Sequence, residues 1–477
     1  MSGLFGELHR TAQALAAQSQ GVFVSGKNMA NVNNTAYARQ RVVLGDRGVV
    51  QTPLGPQSLG VEALGLQQVR DKLLDSQILR ETALMTSLEV QSDAFFKAEA
   101  ALGQNIDRAS DSTYIEGADS SGASRGIGEA LGNLFNAFSS LSASPRSESE
   151  RQSLYQQART LVDRFNVVDG RLEAIQGDLT EQMSGDVDTV NGILQTISDL
   201  NRQIGQYEVG DPGSALDLRD QRQAKLEELS KFVDFRTQAV PGSSSQIQIL
   251  SQDAGGADVV LLNGANTPTG LAFTGTGFTG GNPPVALALR GGRLEGALTA
   301  RDGAIASLRT SLDGFAAQLV TTFNATYNPG GAYSNFFDPA GTTAATIALD
   351  PSLSSATVRA TISATDPGAN DIALAVYGLA STTFSTGAGD SIDGTFGSYY
   401  RSVVSDLANA TASAESRYED QSTLQRLMVE RRDSVSGVSI DEEMTNLIKY
   451  QRAFDASARV MRIIDEMLNV VVNRLTG

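Results

Sequence analysis

Apolar residues recur every seven positions at both ends of this chain. At the C-terminus Ile440, Leu447, Phe454, Met461, Leu468 and Leu475 hold that spacing, and Met444, Ile448, Ala458, Ile464 and Val471 widen the stripe. At the N-terminus Leu8, Leu15, Val22 and Met29 do the same, with Phe5 and Ala12 beside them. A seven-residue apolar repeat suits a helix lying along a second helix, whereas the faces of a strand alternate every two residues. Two such helices at opposite ends pair only by bringing the termini together, which makes everything between them a projection. Ser439 and Glu442 have capping-box spacing, and Asp441, Glu442 and Glu443 sit at the positive end of the C-terminal helix dipole. Residues 1–41 carry four basic side chains and one acidic, a balance that complements those three acids. Gly, Ser, Gln and Ala interrupt the N-terminal stripe, so that helix is expected to order on contact.

Between the ends, helical patterns cover 66–102, 147 to about 207, 216–232, 294–327 and 399–432, with Pro145 expected in a first helical turn. Residues 237–289 differ in kind: no Lys, Arg or Glu, two Asp, nine Gly and four Pro. Alternation in Gln246-Ile247-Gln248-Ile249, and the run Val259 to Leu262 before Asn263-Gly264, predict strands and a hairpin. Weaker strand signals lie at 346–349 and 358–362. The expected fold is mainly α with an inserted β domain: terminal helices paired as a coiled coil, a helical-bundle middle, an outer β module. The corresponding domains are 1–60 with 436–477 for assembly, 61–236 with 290–435 for the middle (including a small β region at about 330–366), and 237–289 outermost.

The composition removes much chemistry. With 37 Lys plus Arg against 54 Asp plus Glu, the net charge of −17 opposes phosphate backbones, so nucleic acid is not an expected partner. Zero Cys and a single His, His9, leave no disulfide, zinc cluster, thiol nucleophile or Ser-His-Asp triad. His9 has no evident local partner and reads as a surface or interface residue. The longest apolar stretch, 372–380, is far short of the ~20 residues of a membrane span. Met1-Ser2-Gly3-Leu4-Phe5-Gly6-Glu7 lacks the basic start and apolar core of a cleavable signal, so the chain is expected to stay in the cytoplasm or leave uncut. Gly275-x-Gly277-x-x-Gly280 matches a dinucleotide fingerprint, but Gly281-Asn282-Pro283-Pro284 follows where a helix would have to start, and a glycine-rich turn is the better reading. Asp186 and Asp188 lack the later ligands of a calcium loop, and Asp441–Glu443 is accounted for by helix-start electrostatics. No catalytic residue, cofactor or metal site is expected.

Two segments carry a family resemblance. Residues 26–40, with Asn31, Asn33, Tyr37, Arg39 and Gln40, resemble the N-terminal signature of bacterial flagellar axial proteins, the rod and hook family. Residues 436–461, with Asn446, Tyr450 and Gln451, resemble the C-terminal signature of the same proteins. Pro145 with Arg151-Gln152 and Phe165-Asn166, then 215–222, then Gly292 to Leu298 leading to Phe323-Asn324, are similar to the hook-associated members at the hook–filament junction. The resemblance implies a non-enzymatic structural subunit, exported uncleaved through the flagellar channel and found outside the cell. Its implied partners are further copies of itself in a ring, the hook protein, a filament-side hook-associated protein and an export chaperone. The implied subunit interface is the two heptad rows. A hook or distal-rod protein is the alternative within this class, and a nucleotide-binding enzyme using the Gly275 loop the alternative outside it.

Overall fold

The computed structural model describes residues 2–46, 48–52, 55–58, 60–103, 126–363, 366 and 368–475. Helix α1 (Ser2–Ala30) is followed by strands β1 (Gln40–Asp46), β2 (Val49–Thr52), β3 (Gly55–Ser58) and β4 (Val61–Gln68). Helices α2 (Lys72–Ala101), α3 (Ile127–Ala143), α4 (Glu148–Tyr207) and α5 (Leu216–Ser230) come next. Strands β5 (Arg236–Ala239), β6 (Ile247–Gln252), β7 (Asp258–Asn263), β8 (Leu271–Phe273), β9 (Phe278–Gly280) and β10 (Val285–Leu287) form the insert. The chain closes with α6 (Arg293–Thr299), α7 (Ala306–Tyr327), α8 (Asp371–Gly378), α9 (Phe396–Ser436) and α10 (Ile440–Leu475), with a π-helical turn at Ala300–Ile305 between α6 and α7. The mainly α fold with an inserted β region is the expected one.

Several local expectations are corrected. Helices α3 and α8 and the ribbon β1–β4 have no counterpart in the helical and strand patterns. Pro145 lies in the turn before α4, whose start is marked by Ser147 Oγ accepting from Glu150 N at 3.3 Å. No strand forms at 346–349 or 358–362; Leu349 makes only an isolated bridge to Phe337. The β6–β7 hairpin closes through Asp253 to Ala257, with Ala257 N donating to Asp253 Oδ1 at 2.8 Å, and Asn263-Gly264 leads out of β7 instead.

Contacts divide the chain into two compact units, one of residues 1–85, 187–292 and 421–477, the other of 86–186 and 293–420. Three of the four cuts fall inside α2, α4 and α9 and the other just before α6, and the first unit holds both termini together with 237–289.

In the first unit β1 and β4 form an antiparallel ribbon with a register shift at Val43/Leu44, and β2 pairs with β3. The insert makes two three-stranded sheets, β5-β6-β7 and β10-β9-β8. One face of α4 fastens it. Asn191 exchanges bonds with Leu271, Nδ2 to the carbonyl at 2.9 Å and Leu271 N to Oδ1 at 2.8 Å. Ser198 Oγ donates to Asn266 O at 2.8 Å, and Asn201 Nδ2 to Gly264 O at 2.8 Å and Ile247 O at 3.1 Å. Asn201 Oδ1 accepts from Arg222 Nη1 at 2.7 Å, and the same nitrogen donates to Ser245 O at 2.7 Å. Ser198 and Asn201 are wholly buried. Buried backbone carbonyls must be paired, and a helix face of amide and hydroxyl side chains supplies the donors that the short strands lack.

The second unit is built on phenylalanine. Phe138, Phe165, Phe315, Phe323, Phe336, Phe337 and Phe396 are at most 1 % exposed. Phe323 stands 5.3–6.0 Å, ring centre to ring centre, from Phe135, Phe138, Phe336 and Phe337, and Phe165 stands 5.5 Å from Phe315. Asn324, beside Phe323 in sequence, holds the 336–337 loop: its Nδ2 donates to Phe337 O at 2.9 Å, and its Oδ1 accepts from Phe336 N at 3.0 Å and Phe337 N at 2.9 Å. At Gly296 a Cβ would stand 2.4 Å from Ser87 O, so only glycine allows α6 that approach to α2.

Candidate functional site

Helices α1 and α10 lie against each other and run antiparallel: Gly21 faces Tyr450, and Arg39, past the end of α1, reaches Glu442 and Glu443 at the start of α10. The shielded face of α10 follows steps of four and three, Glu443, Leu447, Tyr450, Phe454, Ser457, Met461, Ile464, Leu468 and Val471, with Asn446, Ala453 and Ala458 half-buried beside it. Leu447, Phe454, Met461 and Leu468 therefore lie on the face toward α1, each half-buried, while Ile440 is exposed and the side chain of Leu475 lies outside the described residues.

On α1 the inward row is displaced from the expected one. Ala17, Gly21, Val24 and Asn28 are buried, and Leu8, Leu15, Val22 and Met29 flank them half-exposed. Two side chains that an apolar pattern ignores set this rotation. A Cβ on Gly21 would lie 2.6 Å from the Tyr450 ring, so glycine makes the seat for the tyrosine. Asn28 is held inward by its amide: Nδ2 donates to Gln40 O at 2.8 Å, while Oδ1 accepts from Gln40 N at 3.0 Å and from the Tyr37 hydroxyl at 2.8 Å. A buried polar group that is hydrogen-bonded on both its oxygen and its nitrogen loses little against water.

The signature residues converge below this pair. Asn31 Nδ2 caps the end of α1 on Lys27 O at 2.9 Å, and Asn33 is exposed in the turn. Arg39 donates from Nε to Glu443 and from Nη1 to Glu442, each at 2.7 Å, and its backbone N–H donates to Ser436 O at 2.9 Å, tying both ends of the chain at one residue. Lys27 Nζ reaches the Asp217 carboxylate at 2.6 Å, and Gln40 Nε2 reaches it at 3.3 Å. Asn446 is half-buried and lines the groove beside Gly21 and Tyr450; Gln451 is exposed. Deeper in the same unit Arg70 bridges Asp75 at 3.1 Å, Asp220 at 2.8 Å and Ala36 O at 2.7 Å, and Arg432 donates to Glu227 at 2.7 Å. These partners carried no periodic signal and were not anticipated. Burial raises Tyr37 well above the ordinary phenol range, helped by the charges of Asp220, Asp217 and Glu443. Burial likewise pushes Asp220 up to about 6 and Asp75 and Glu227 upward, against the pull of Arg70 and Arg432.

The motifs set aside in the sequence fall elsewhere. Gly275 and Gly277 make the β8–β9 turn, Thr274 N donating to Gly277 O at 2.9 Å, and a strand follows instead of a helix. Asp186 pairs with Arg293 at 3.2 Å. His9, exposed, does have a partner: its Nε2 lies 3.0 Å from Gln13 Nε2, one turn on. Among the described residues no group of three or more His, Cys, Asp or Glu could hold a metal, and no helix is long and apolar enough to cross a membrane.

Residues 113–337 match the model of the flagellar hook-associated protein FlgK helical domain, and residues 432–475 that of the flagellar basal body rod FlgEFG protein C-terminal region. The chain is 26 % identical over 525 aligned positions to flagellar hook-associated protein 1 of Bacillus subtilis, covering 99 % of each. It is 32 % identical over 79 residues to flagellar hook-associated protein 1 of Salmonella typhimurium, a match spanning 17 % of this chain and 14 % of that one. The solved flagellar hook junction protein FlgK from Burkholderia pseudomallei aligns with a TM-score of 0.46 at 18 % identity, covering 55 % of this chain and 46 % of the other.

Proposed function

We infer that this chain, which belongs to the flagellar hook-associated protein family and is a structural subunit of the bacterial flagellum, joins hook to filament through its paired termini. The observation that carries the reading is Arg39. One side chain and its backbone bind the first turn of α10 and the end of α9, so the N-terminal signature and the C-terminal signature fold as a single object. Helices α1 and α10 are then the assembly element, with copies of the chain arranged around the axis, the hook protein on one side and a filament-side hook-associated protein on the other. The chain travels uncleaved through the flagellar export channel, with an export chaperone covering apolar surface beforehand, and it performs no catalysis. The match to the hook-associated helical domain over α3 to α7 favours the junction over a hook or distal-rod role.

A strain lacking the chain should assemble hooks without filaments and release filament subunits to the medium, and a plasmid copy should restore filaments. Filaments of normal number in the deletion strain would end this reading. Secreted chain recovered from the medium should begin at Met1 or Ser2 by mass spectrometry; cleavage within the first thirty residues would exclude uncleaved export.

A further inference from the structure

Strand β5 is an open edge of its sheet. In the order β5-β6-β7 it is paired on one side only, and no register shift interrupts its pairing with β6. Gln238 faces Gln248 and Ala239 faces Ile247, so Val240 comes opposite Gln246, and Val240 N donates to Gln246 O at 3.1 Å. Bonded and non-bonded positions alternate along an antiparallel pair. Gln238 is therefore bonded to β6, while Thr237 and Ala239 turn their N–H and carbonyl groups to the open side. Ile247, opposite Ala239, fits this phase: its N–H goes to Asn201 Oδ1 and its carbonyl to Gly264 N, away from β5. Among the described residues nothing bonds the outward groups of Thr237 and Ala239. All of β5 is exposed, and such an edge is a template for a further strand.

The edge borders a cavity of about 580 Å³ whose other walls come from the start of α2 and from α5. Thr237, Gln238 and Ala239 all line it, although their side chains alternate between faces, as a groove along the edge requires. Four cationic side chains stand there against one acid, Asp75, in a chain of net charge −17. Two of the four, Arg70 and Arg219, are spent on carboxylates. Lys72 is exposed and forms no ion pair among the described residues. Arg222 is only 7 % exposed, yet it too forms no ion pair. Its Nη1 donates to Asn201 Oδ1 and Ser245 O, while Nε and Nη2, the side-on edge that receives a carboxylate through two bonds, carry no hydrogen bond. Burial and the charge of Arg219 both disfavour its charged form, a cost that an arriving anion would offset. Leu73, 66 % exposed, adds an apolar wall. Next along the same helix and strand, a second cavity of about 330 Å³ passes Arg236 beside the exposed Arg80 and Arg290.

We propose that this groove takes an extended, acidic segment of a partner protein, which adds a strand to the open edge of β5 and sets a carboxylate on Arg222 and Lys72. Main-chain bonds to Thr237 and Ala239 supply the docking, and the cations select the sequence. A small anion would satisfy Arg222 but leave the strand edge open. The β5 edge of a second copy is a poor match, because it brings cations to cations. The site lies on α2, α5 and β5 and is independent of assembly through α1 and α10.

The purified full-length chain would be titrated with a labelled, end-capped octapeptide of alternating valine and glutamate, and followed by fluorescence anisotropy and amide exchange. Binding is expected, with the Thr237 and Ala239 amides gaining the protection that Gln238 already has in the free chain. Ala239→Pro removes an outward N–H and leaves the bonds to β6 in place, so it should weaken binding at least tenfold. Lys72→Glu should do the same, and a valine–lysine octapeptide should not bind. A fully N-methylated valine–glutamate peptide, which needs no change in the chain, should also fail. No binding of the unmodified valine–glutamate peptide overturns the proposal. Binding that survives N-methylation would mean contact without an added strand and overturns it equally. Displacement of the peptide by excess acetate would reduce the groove to a simple anion site, which is likewise a refutation.

Discussion

The phenylalanine core and the terminal helix pair solve opposite problems. In the core, Phe138, Phe323, Phe336 and Phe337 are closed off from solvent and satisfied within one chain, so this unit folds for its own sake. In the pair, α10 buries one row against α1 and keeps apolar rows on both flanks, while the α1 face that meets it is built from Ala17, Gly21, Val24 and Asn28. Small and polar residues on the α1 side give a close approach of the two helices and leave most of the apolar contribution to α10.

Six substitutions, in four tests, can break or sharpen that contrast. The largest effect is expected from Phe323→Ala, which removes a ring touching four others. It should cost the monomer about 3–5 kcal/mol and lower its melting temperature markedly, yet leave hydrogen exchange in α1 and α10 as it was. If the terminal helices lose protection in step with the core, the two regions are one cooperative body and the contrast fails.

Leu447→Asp places a carboxylate in the seam. The assembled state should lose several kcal/mol per subunit and junctions should be absent, while the monomer's calorimetric transition moves little. Unfolding of the soluble monomer by this change would make the stripe an ordinary intramolecular core.

Glycines sort the faces of α1 more finely. Nothing lies within 4 Å of a Cβ on Gly6 or Gly26, so alanine there should raise helix stability by up to about 1 kcal/mol. Alanine at Gly21 gains the same propensity but strikes the Tyr450 ring, and its net effect on the helix pair should be unfavourable. Circular dichroism and junction counts that rank all three alike would remove the seat from the argument.

The smallest effect concerns pH. Asp220 has a folded pKa of about 6, above its unfolded value, because burial outweighs Arg70. Its contribution is therefore fully favourable below the unfolded carboxylate range and is lost as pH rises through about 6. Asp75 and Glu227 shift the same way, and Asp220→Asn should flatten the decline in the first unit's stability between pH 4 and 7. A steeper decline in the variant would show Arg70 to outweigh burial there.

The sequence by itself determined most of the long helices and the pairing of the two terminal ones, but not α3 or α8. Seven-residue spacing needs no partner to be visible, so α10 and the meeting of the termini were legible, as was the strand character of 237–289. Tertiary structure decided the rotation of α1, because whether Leu15 or Asn28 faces inward depends on a tyrosine and a backbone hundreds of residues away. It likewise decided that Asn191, Ser198 and Asn201, polar residues on a long helix, are the fastening of the β insert. Hydrophobic period reports which side chains avoid water, a property each residue carries locally. Hydrogen-bond satisfaction is a property of pairs, and the partners exist only once the chain has folded.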